Sequence, residues 1–275
     1  MTFTPENGMT ETVAQFVNDL RDGQALIQAG WDDAPHMTAE VRQQILAALP
    51  PHERKMREQG IPQLGSGLVF PIAESDMVCD PINIPEFWPR ICGLDFGWDH
   101  PTAASWAAWD RDSDIIYIYD TYAMSQEAVP IHASAIKGRG NWIPVIWPMD
   151  GRQADKGSGK SLTEQYRNEG VSMTREHFTN TPQAGQKEGT GGISVEAGVQ
   201  EMYTRFMTNR LKIFNNQSKL LEELRMYHRK DGKIVFKHDD VISATRYAVM
   251  SVRKARVKNY EPTQLYSDSS FNVFA

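Results

Sequence analysis

The chain has 275 residues, 40% hydrophobic and 23% charged, with a net charge of −6 at pH 7. That length accommodates one large domain or two small ones, and the acidic balance argues against a general nucleic-acid coat while leaving room for a local basic surface. Two cysteines are too few for a disulfide framework and lack metal-ligand spacing, no apolar run approaches a membrane span, and the N-terminus lacks a signal-peptide pattern, so a reducing cytoplasm is the simplest setting.

Residues 10 to 30 read as one amphipathic helix capped by Thr10, with Val13, Phe16, Val17 and Leu20 on one face. Residues 38 to 60 read as helical, capped by Thr38, with Val41, Ile45 and Leu49 at helical spacing and Pro50-Pro51 as an interruption. Gly65-Ser66-Gly67 marks a change of character, and the three prolines between 80 and 89 read as a connection. Beyond Arg90, apolar runs at 91–97, 102–109 and 115–122 predict three strands, joined tightly enough for an antiparallel meander.

A helix is expected over 125–137, a fourth strand over 145–149 and a short helix over 161–169. The Gly-rich stretch 177–193 reads as a mobile loop. Ser194 then caps a helix with the stripe Val195, Val199, Met202 and Phe206. A strand at 211–214, a helix over 217–230 with Leu220, Leu221, Leu224 and Tyr227 inward, a turn at Asp231-Gly232 and a strand at 234–236 follow. The last helix begins at Asp239 or Asp240 and runs to about Val252, and the residues after Asn259 read as a flexible tail.

Three carboxylates stand out by position. Asp95 ends the first strand of the meander, Asp150 ends the fourth strand, and Asp239-Asp240 opens the last helix. Functional groups gather at such strand ends in α/β sheets. If the first and fourth of these strands are neighbours, Asp95 and Asp150 lie side by side and repel, which a divalent cation relieves. An all-oxygen set suits Mg²⁺ or Mn²⁺, and two such ions fit metal-dependent cleavage of nucleic acid. Each Asp alone has an ordinary reading as a turn former or helix cap. The buried stripe Val241, Ala244, Ala248 and Val252 sets the helix phase: Asp240 leans over the sheet edge as the favoured ligand, Asp239 is the better cap, and the small Ala244 lets the helix come close.

Gly159-Lys160-Ser161 has the end of a phosphate-binding loop, but Ala154 occupies the position of its first glycine. The ordinary reading is a Gly/Ser-rich polar loop, and as a phosphate contact the stretch suits a DNA backbone better than ATP. Arg152, Lys156 and Lys160 follow Asp150, and Arg246 leads a basic run at the end of the last helix, so these four are the candidate phosphate contacts. His100 and His238 flank two of the acids, where either fits a role in positioning water or a phosphate, or a structural one.

The stretches "GWDDAPHMTAE", "PPHERKMREQGIPQLGSGLVFPI", "LDFGWDHPTA", "KGSGKSL", "VQEMYTRFMTNRLKIF" and "MYHRKDGKIVFKHDDVISATRYAVM" together resemble the large terminase subunit of tailed bacteriophages. The order of the acids resembles ribonuclease H-like nucleases. The resemblance implies an α/β, ribonuclease H-like mixed sheet flanked by helices, preceded by a small, mostly helical segment. It implies a division into the end of an ATPase domain and linker (1–64), a nuclease domain (65–258) and a tail (259–275). The implied activity is two-metal cutting of concatemeric double-stranded DNA, with Asp95 bridging both ions, Asp150 and Asp240 or Asp239 holding one each, and Asp99 matching a further acid near the metals. Portal and small terminase subunit are the implied partners, no membrane is involved, and the place is the host cytoplasm at the procapsid. With no complete phosphate loop, ATP hydrolysis is not expected of this chain. The rival readings are a non-cleaving DNA-grip module and a resolvase or transposase of the same fold.

Overall fold

The first N-terminal helix is shorter than expected, whereas the second stops just before Pro50-Pro51 and helical residues recur at 54 and 57–59, as expected. The structure, a computed structural model, describes residues 11–18, 20–49, 54, 57–60, 67–153, 159–180, 192–230 and 232–258. Helix α1 (Glu11–Asn18) does not reach residue 30, because the chain turns at Asp22-Gly23, closed by Gln24 N–H on the Arg21 carbonyl at 3.0 Å. Thr10, its expected cap, lies outside the described residues. Val13 is buried, but Val17 and Leu20 are exposed. Helix α2 (Ala39–Ala48) is capped as expected, Thr38 Oγ1 accepting from Val41 N–H. Leu49 is extended, the conformation required before Pro50.

From Leu68 onward the chain turns inward, through buried Leu68, Val69, Phe70 and Ile72, to α3 (Glu74–Met77) and β1 (Val78–Cys79). Residues 80–89 are irregular, as their prolines dictate. The expected meander follows as β2 (Arg90–Asp95), β3 (Thr102–Asp110) and β4 (Ile115–Met124), antiparallel throughout. Helix α4 (Val129–Gly138) starts later than expected, with Pro130 in its first turn, where a missing N–H costs nothing. Strand β5 (Val145–Ile146) is cut short by the turn that begins at Met149.

Ser161 caps α5 (Leu162–Asn168) in a reciprocal capping box with Glu164. Then come α6 (Val195–Met207), β6 (Leu211–Phe214) and α7 (Ser218–Met226). Helix α7 stops before the expected Lys230, because β7 (Arg229–Lys230) pairs with β8 (Lys233–Ile234) in a small hairpin. That hairpin also ends the expected 234–236 strand at Ile234. Helix α8 (Asp240–Met250) closes the fold. Most of the expected 177–193 loop and the tail from 259 lie outside the described residues, although Phe178 and Asn180 at the loop's start are buried.

The main sheet has the order β1-β6-β4-β3-β2-β5, parallel at both ends and antiparallel through β4-β3-β2. Successive side chains of a strand point to opposite faces. Ile91 accordingly joins the apolar layer beneath α6, α7 and α8, whereas Cys92 and Leu94 join the layer beneath α4 and α5. Strand β2 is therefore buried on both sides and fixed at its end, where Asp95 emerges.

One backbone contact sets the height of α8 over the sheet. A Cβ on Gly93 would stand 1.9 Å from the Ala244 carbonyl oxygen and 2.8 Å from the Ala248 nitrogen. Only glycine permits that approach. Beside it, the buried Thr245 hydroxyl donates to Ser105 Oγ at 2.8 Å, and Ser105 is the register partner of Gly93. Gly93→Ala is expected to lift α8 and destabilise the fold by about 3 kcal/mol or more, since backbone atoms cannot yield as side chains do. Thermal or urea unfolding checks it; a midpoint equal to the parent's would show that the helix does not sit this low.

Candidate active site

Asp95, Asp150, Asp239 and Asp240 reach one region from three elements. Strand β2 delivers Asp95, and the parallel pairing of β5 with β2, in the register Cys92↔Val145 and Gly93↔Ile146, carries Asp150 alongside. The four-residue advance from Ile146 places Asp150 in a 3-10 turn (Met149–Arg152) rather than on the strand as expected. Asp240 is the first residue of α8, one turn before Ala244, so the Gly93 contact carries it toward the end of β2.

Asp95 feels the charge of the other three acids, and Asp239 that of Asp240. Burial and the neighbouring charges of Asp150, Asp240 and Asp239 push the Asp95 carboxyl up to about 8, with Arg246 opposing. Burial, then Asp240, pushes Asp239 up to about 6. Asp150 and Asp240 are raised by burial; the Gly151 N–H works against the rise in the first, and His100 and His238 against that in the second. Asp240 acts on Asp95 more strongly than Asp239 does. Among the described residues none of the four makes an ion pair. Nor are three His, Cys, Asp or Glu side chains there gathered tightly enough to form a ready metal-ligand set. The acids share an electrostatic neighbourhood rather than a finished coordination shell.

Asp239 occupies the N-cap position as expected, but its side chain makes no capping hydrogen bond. Glu223 of α7 does that work instead. Its Oε2 accepts from Val241 N–H at 2.9 Å and from Ile242 N–H at 3.0 Å, taking two of the donors that a helix start leaves open. Glu223 is 1% exposed, and burial raises its carboxyl to about 8 against the pull of those two amides. Its sequence signal is a charged residue inside the buried stripe Leu220, Leu221 and Leu224.

Arg246 is not the surface contact expected from the basic run that it leads. It is 3% exposed, its guanidinium stacked over the rings of Tyr247 at 4.6 Å and Phe178 at 5.3 Å. Its methylenes fill a notch at Gly198 of α6, where a Cβ would come within 2.6 Å. From there it meets no phosphate arriving from solvent; it serves as a buried positive charge beside the acids. A glycine inside the α6 stripe is the trace that this packing leaves in the sequence.

The remaining candidates divide. Arg152 is exposed and reaches Glu176 at 3.4 Å, and Lys160 is exposed. Lys156 lies outside the described residues. Asp99 is exposed beyond β2 and is not among the charges that shift the four acids. His100 acts on Asp239 and Asp240, and His238, held at a positive φ of 55°, adjoins Asp239.

The mixed sheet, with helices on both faces and acids arriving from the end of β2, the turn after its neighbour β5 and the start of a final helix, has the architecture of a ribonuclease H-like domain. The chain belongs to the terminase large-subunit family: the model described as "Terminase RNaseH-like domain" matches residues 92–252. It is 40% identical over 258 residues to the large terminase subunit of Salmonella phage P22, covering 94% of this chain and 50% of that one. It is 39% identical over 251 residues to the large subunit of Enterobacteria phage LP7, covering 91% and 51%. The chain thus spans about half the length of the curated relatives it matches. The P22 large terminase nuclease domain superposes with a TM-score of 0.62 at 39% identity, over 70% of this chain and 95% of that one. The large terminase of the thermophilic bacteriophage D6E, at 13% identity and a TM-score of 0.52 over 88% of this chain and 59% of that one, shares the fold.

Raised carboxyls have a consequence for stability. Their protonated forms favour the fold, so this contribution is present below about pH 4, the ordinary carboxyl range. It is lost as pH rises through about 6 for Asp239 and about 8 for Asp95 and Glu223. With EDTA present, the melting temperature is expected to fall between pH 6 and pH 9, and Asp95→Asn to flatten that fall. An Asp95→Asn profile as steep as the parent's would place the repulsion elsewhere.

Proposed function

We propose that this chain is a metal-dependent DNA endonuclease of a viral genome-packaging motor, cutting concatemeric double-stranded DNA by phosphodiester hydrolysis. The observation that carries the reading is the convergence of Asp95, Asp150 and Asp240 from three elements, with the Asp95 carboxyl pushed up to about 8 and, among the described residues, no ion pair to relieve it. An oxygen-only set with unrelieved negative charge fits hard divalent cations, Mg²⁺ or Mn²⁺. Asp95 would be the shared ligand, Asp150 and Asp240 would each hold one side, and Asp239 is the alternative to Asp240. When bound, two such cations activate the attacking water and stabilise the leaving oxygen.

The chain's own residues supply the rest. Strand β2 and α8 fix the separation of Asp95 from Asp240 before substrate arrives, so little reorganisation is needed. Arg246 keeps one buried positive charge beside the acids. Burial, Lys237 and Lys219 lower His238, leaving its imidazole neutral near pH 7 and able to accept a hydrogen bond from water. Arg152 and Lys160, with Lys156 between them in the sequence, neutralise backbone phosphates without reading sequence. Residues 1–64 fit the end of an ATPase domain and its linker, with ATP hydrolysis not expected from this chain, and residues 65–258 the nuclease domain. In the whole motor the partners would be portal and small subunit, at the procapsid in the host cytoplasm.

Plasmid cleavage with Mn²⁺, Mg²⁺ or EDTA tests the reading. Cutting is expected with either metal, none with EDTA, and a loss of at least about a hundredfold in Asp95→Ala. Asp240→Asn is expected to lose more than Asp239→Asn. A parent and an Asp95→Ala variant that bind DNA equally and cut nothing would favour the non-cleaving grip module, whereas equal cutting by both would remove the acids from the chemistry.

A further inference from the structure

Next to the acidic region lies a cleft of opposite charge. It has a volume of about 370 Å³ and is lined by Trp147, Arg152, Arg167, Arg175 and Glu164 among others. Arg152 belongs to the turn that presents Asp150, two residues on, so the cleft begins where the acids end. Arg167 comes from α5; its guanidinium lies 5.9 Å from the centre of the Trp147 ring, and its Nη2 donates to the Thr174 carbonyl at 2.7 Å. Trp147 Nε1 donates to that same carbonyl at 3.0 Å. A bridge between Val145 and Met173 holds the 172–176 segment beside β5, which brings Arg175 to the same cleft.

The carboxylates nearby do not cancel these charges equally. Glu164 Oε2 is taken by the Ser161 N–H at 2.8 Å and the Ser161 hydroxyl at 2.9 Å, as part of the α5 cap. Glu176 stands between two of the arginines, 3.4 Å from Arg152 and 3.9 Å from Arg175. All three of these side chains are solvent-accessible, 55% for Arg152, 96% for Arg175 and 64% for Glu176. One solvated carboxylate thus occupies the place between two guanidinium groups that an incoming anion would take. A phosphate presents more acceptor oxygens to such a fork than a carboxylate does.

We propose that the Arg152–Arg167–Arg175 cleft is a strand-phosphate subsite: it binds a backbone phosphate of the DNA strand that passes the acids, and Glu176 is the internal anion that this phosphate displaces. The inference rests on the nuclease reading for its substrate. The division of labour is physical: the acids repel DNA until cations are present, while the arginines attract it without cations. Strand capture and cutting therefore have separate requirements. The shared chemistry is a phosphate group, and a polymer is distinguished from a free anion by competition.

The test is DNA affinity of the full chain in EDTA, read by fluorescence anisotropy of a labelled duplex over a series of salt concentrations, with cleavage assayed separately. Arg175→Glu is expected to weaken binding about tenfold and to reduce the salt slope by about 0.9 for each phosphate that is no longer neutralised. Glu176→Gln is expected to tighten binding about threefold by removing the competitor. Both positions are exposed, and unchanged melting temperatures confirm that the fold is intact. Asp95→Asn is expected not to weaken metal-free binding. Inorganic phosphate at matched ionic strength is expected not to displace the duplex; displacement would make the cleft a free-anion site and overturn the strand assignment. Parent-like affinity in Arg175→Glu, or weaker binding in Glu176→Gln, overturns the subsite while leaving the acids' role standing. If instead these two variants shift affinity as expected but no metal yields cutting, the subsite holds and the nuclease reading alone fails.

Discussion

The approach of helix α8 to strand β2 at Gly93 is the constraint on which the acidic region depends. Backbone meets backbone there: the position of a missing Cβ is occupied by the Ala244 carbonyl. Gly93 lies two residues before Asp95, and Ala244 one helical turn after Asp240. The contact is therefore the fulcrum of two short lever arms, each ending in a carboxylate. With any side chain at 93 the helix would ride higher, and the acids it carries would separate from those of the sheet. Close packing that transmits strain rather than absorbing it makes this geometry fixed instead of adjustable.

Bringing those acids together raises the energy of the metal-free fold, and the surrounding residues show how that is contained. Arg246 supplies one positive charge from within, kept in place by two aromatic rings and the Gly198 notch rather than by an ion pair. Glu223 takes the first amides of α8, which leaves the Asp239 carboxylate without a capping duty. Both devices lie outside the acidic cluster yet decide what its members are free to do. Beyond the acids the sign of the surface reverses at Arg152, so a polyanion approaching the region meets attraction within two residues of repulsion.

Much of this was legible in the sequence because it follows from local rules. Apolar runs of strand length gave the meander and Asp95 at the end of β2, whereas the run before Asp150 stops as a strand four residues short of it, and the phase of Val241, Ala244 and Ala248 gave the orientation of α8. The family resemblance rested on motifs spread across most of the chain. What was not legible depends on partners distant in sequence. Gly93 reads as an ordinary strand residue until α8 is laid across it. Arg246 reads as one more cation in a basic run, since nothing local reveals that Gly198 leaves it a berth. Glu223 caps a helix from 18 residues away, beyond the reach of a rule about adjacent caps. At the N-terminus the error ran the other way: a helix whose apolar spacing ends at Leu20 was carried on to residue 30, past the point where Asp22-Gly23 turns the chain.

The short β5 gives the two sides of the acidic region unequal stiffness. Asp95 ends a six-residue strand hydrogen-bonded on both flanks, whereas Asp150 follows a two-residue strand whose outer side is held by the bridge to Met173 and by Phe178 N–H on the Trp147 carbonyl, with Thr163 Oγ1 donating to the Gly151 carbonyl beyond it. Openings of a native protein begin where few backbone bonds must break. The amides of residues 145–152, with fewer ladder bonds than β2, are therefore expected to exchange with solvent sooner than those of β2. The half of the region that carries Asp150 and the first arginine of the cleft thus rests on turn and side-chain bonds, and the half that carries Asp95 and Asp240 on the sheet ladder and the α8 contact.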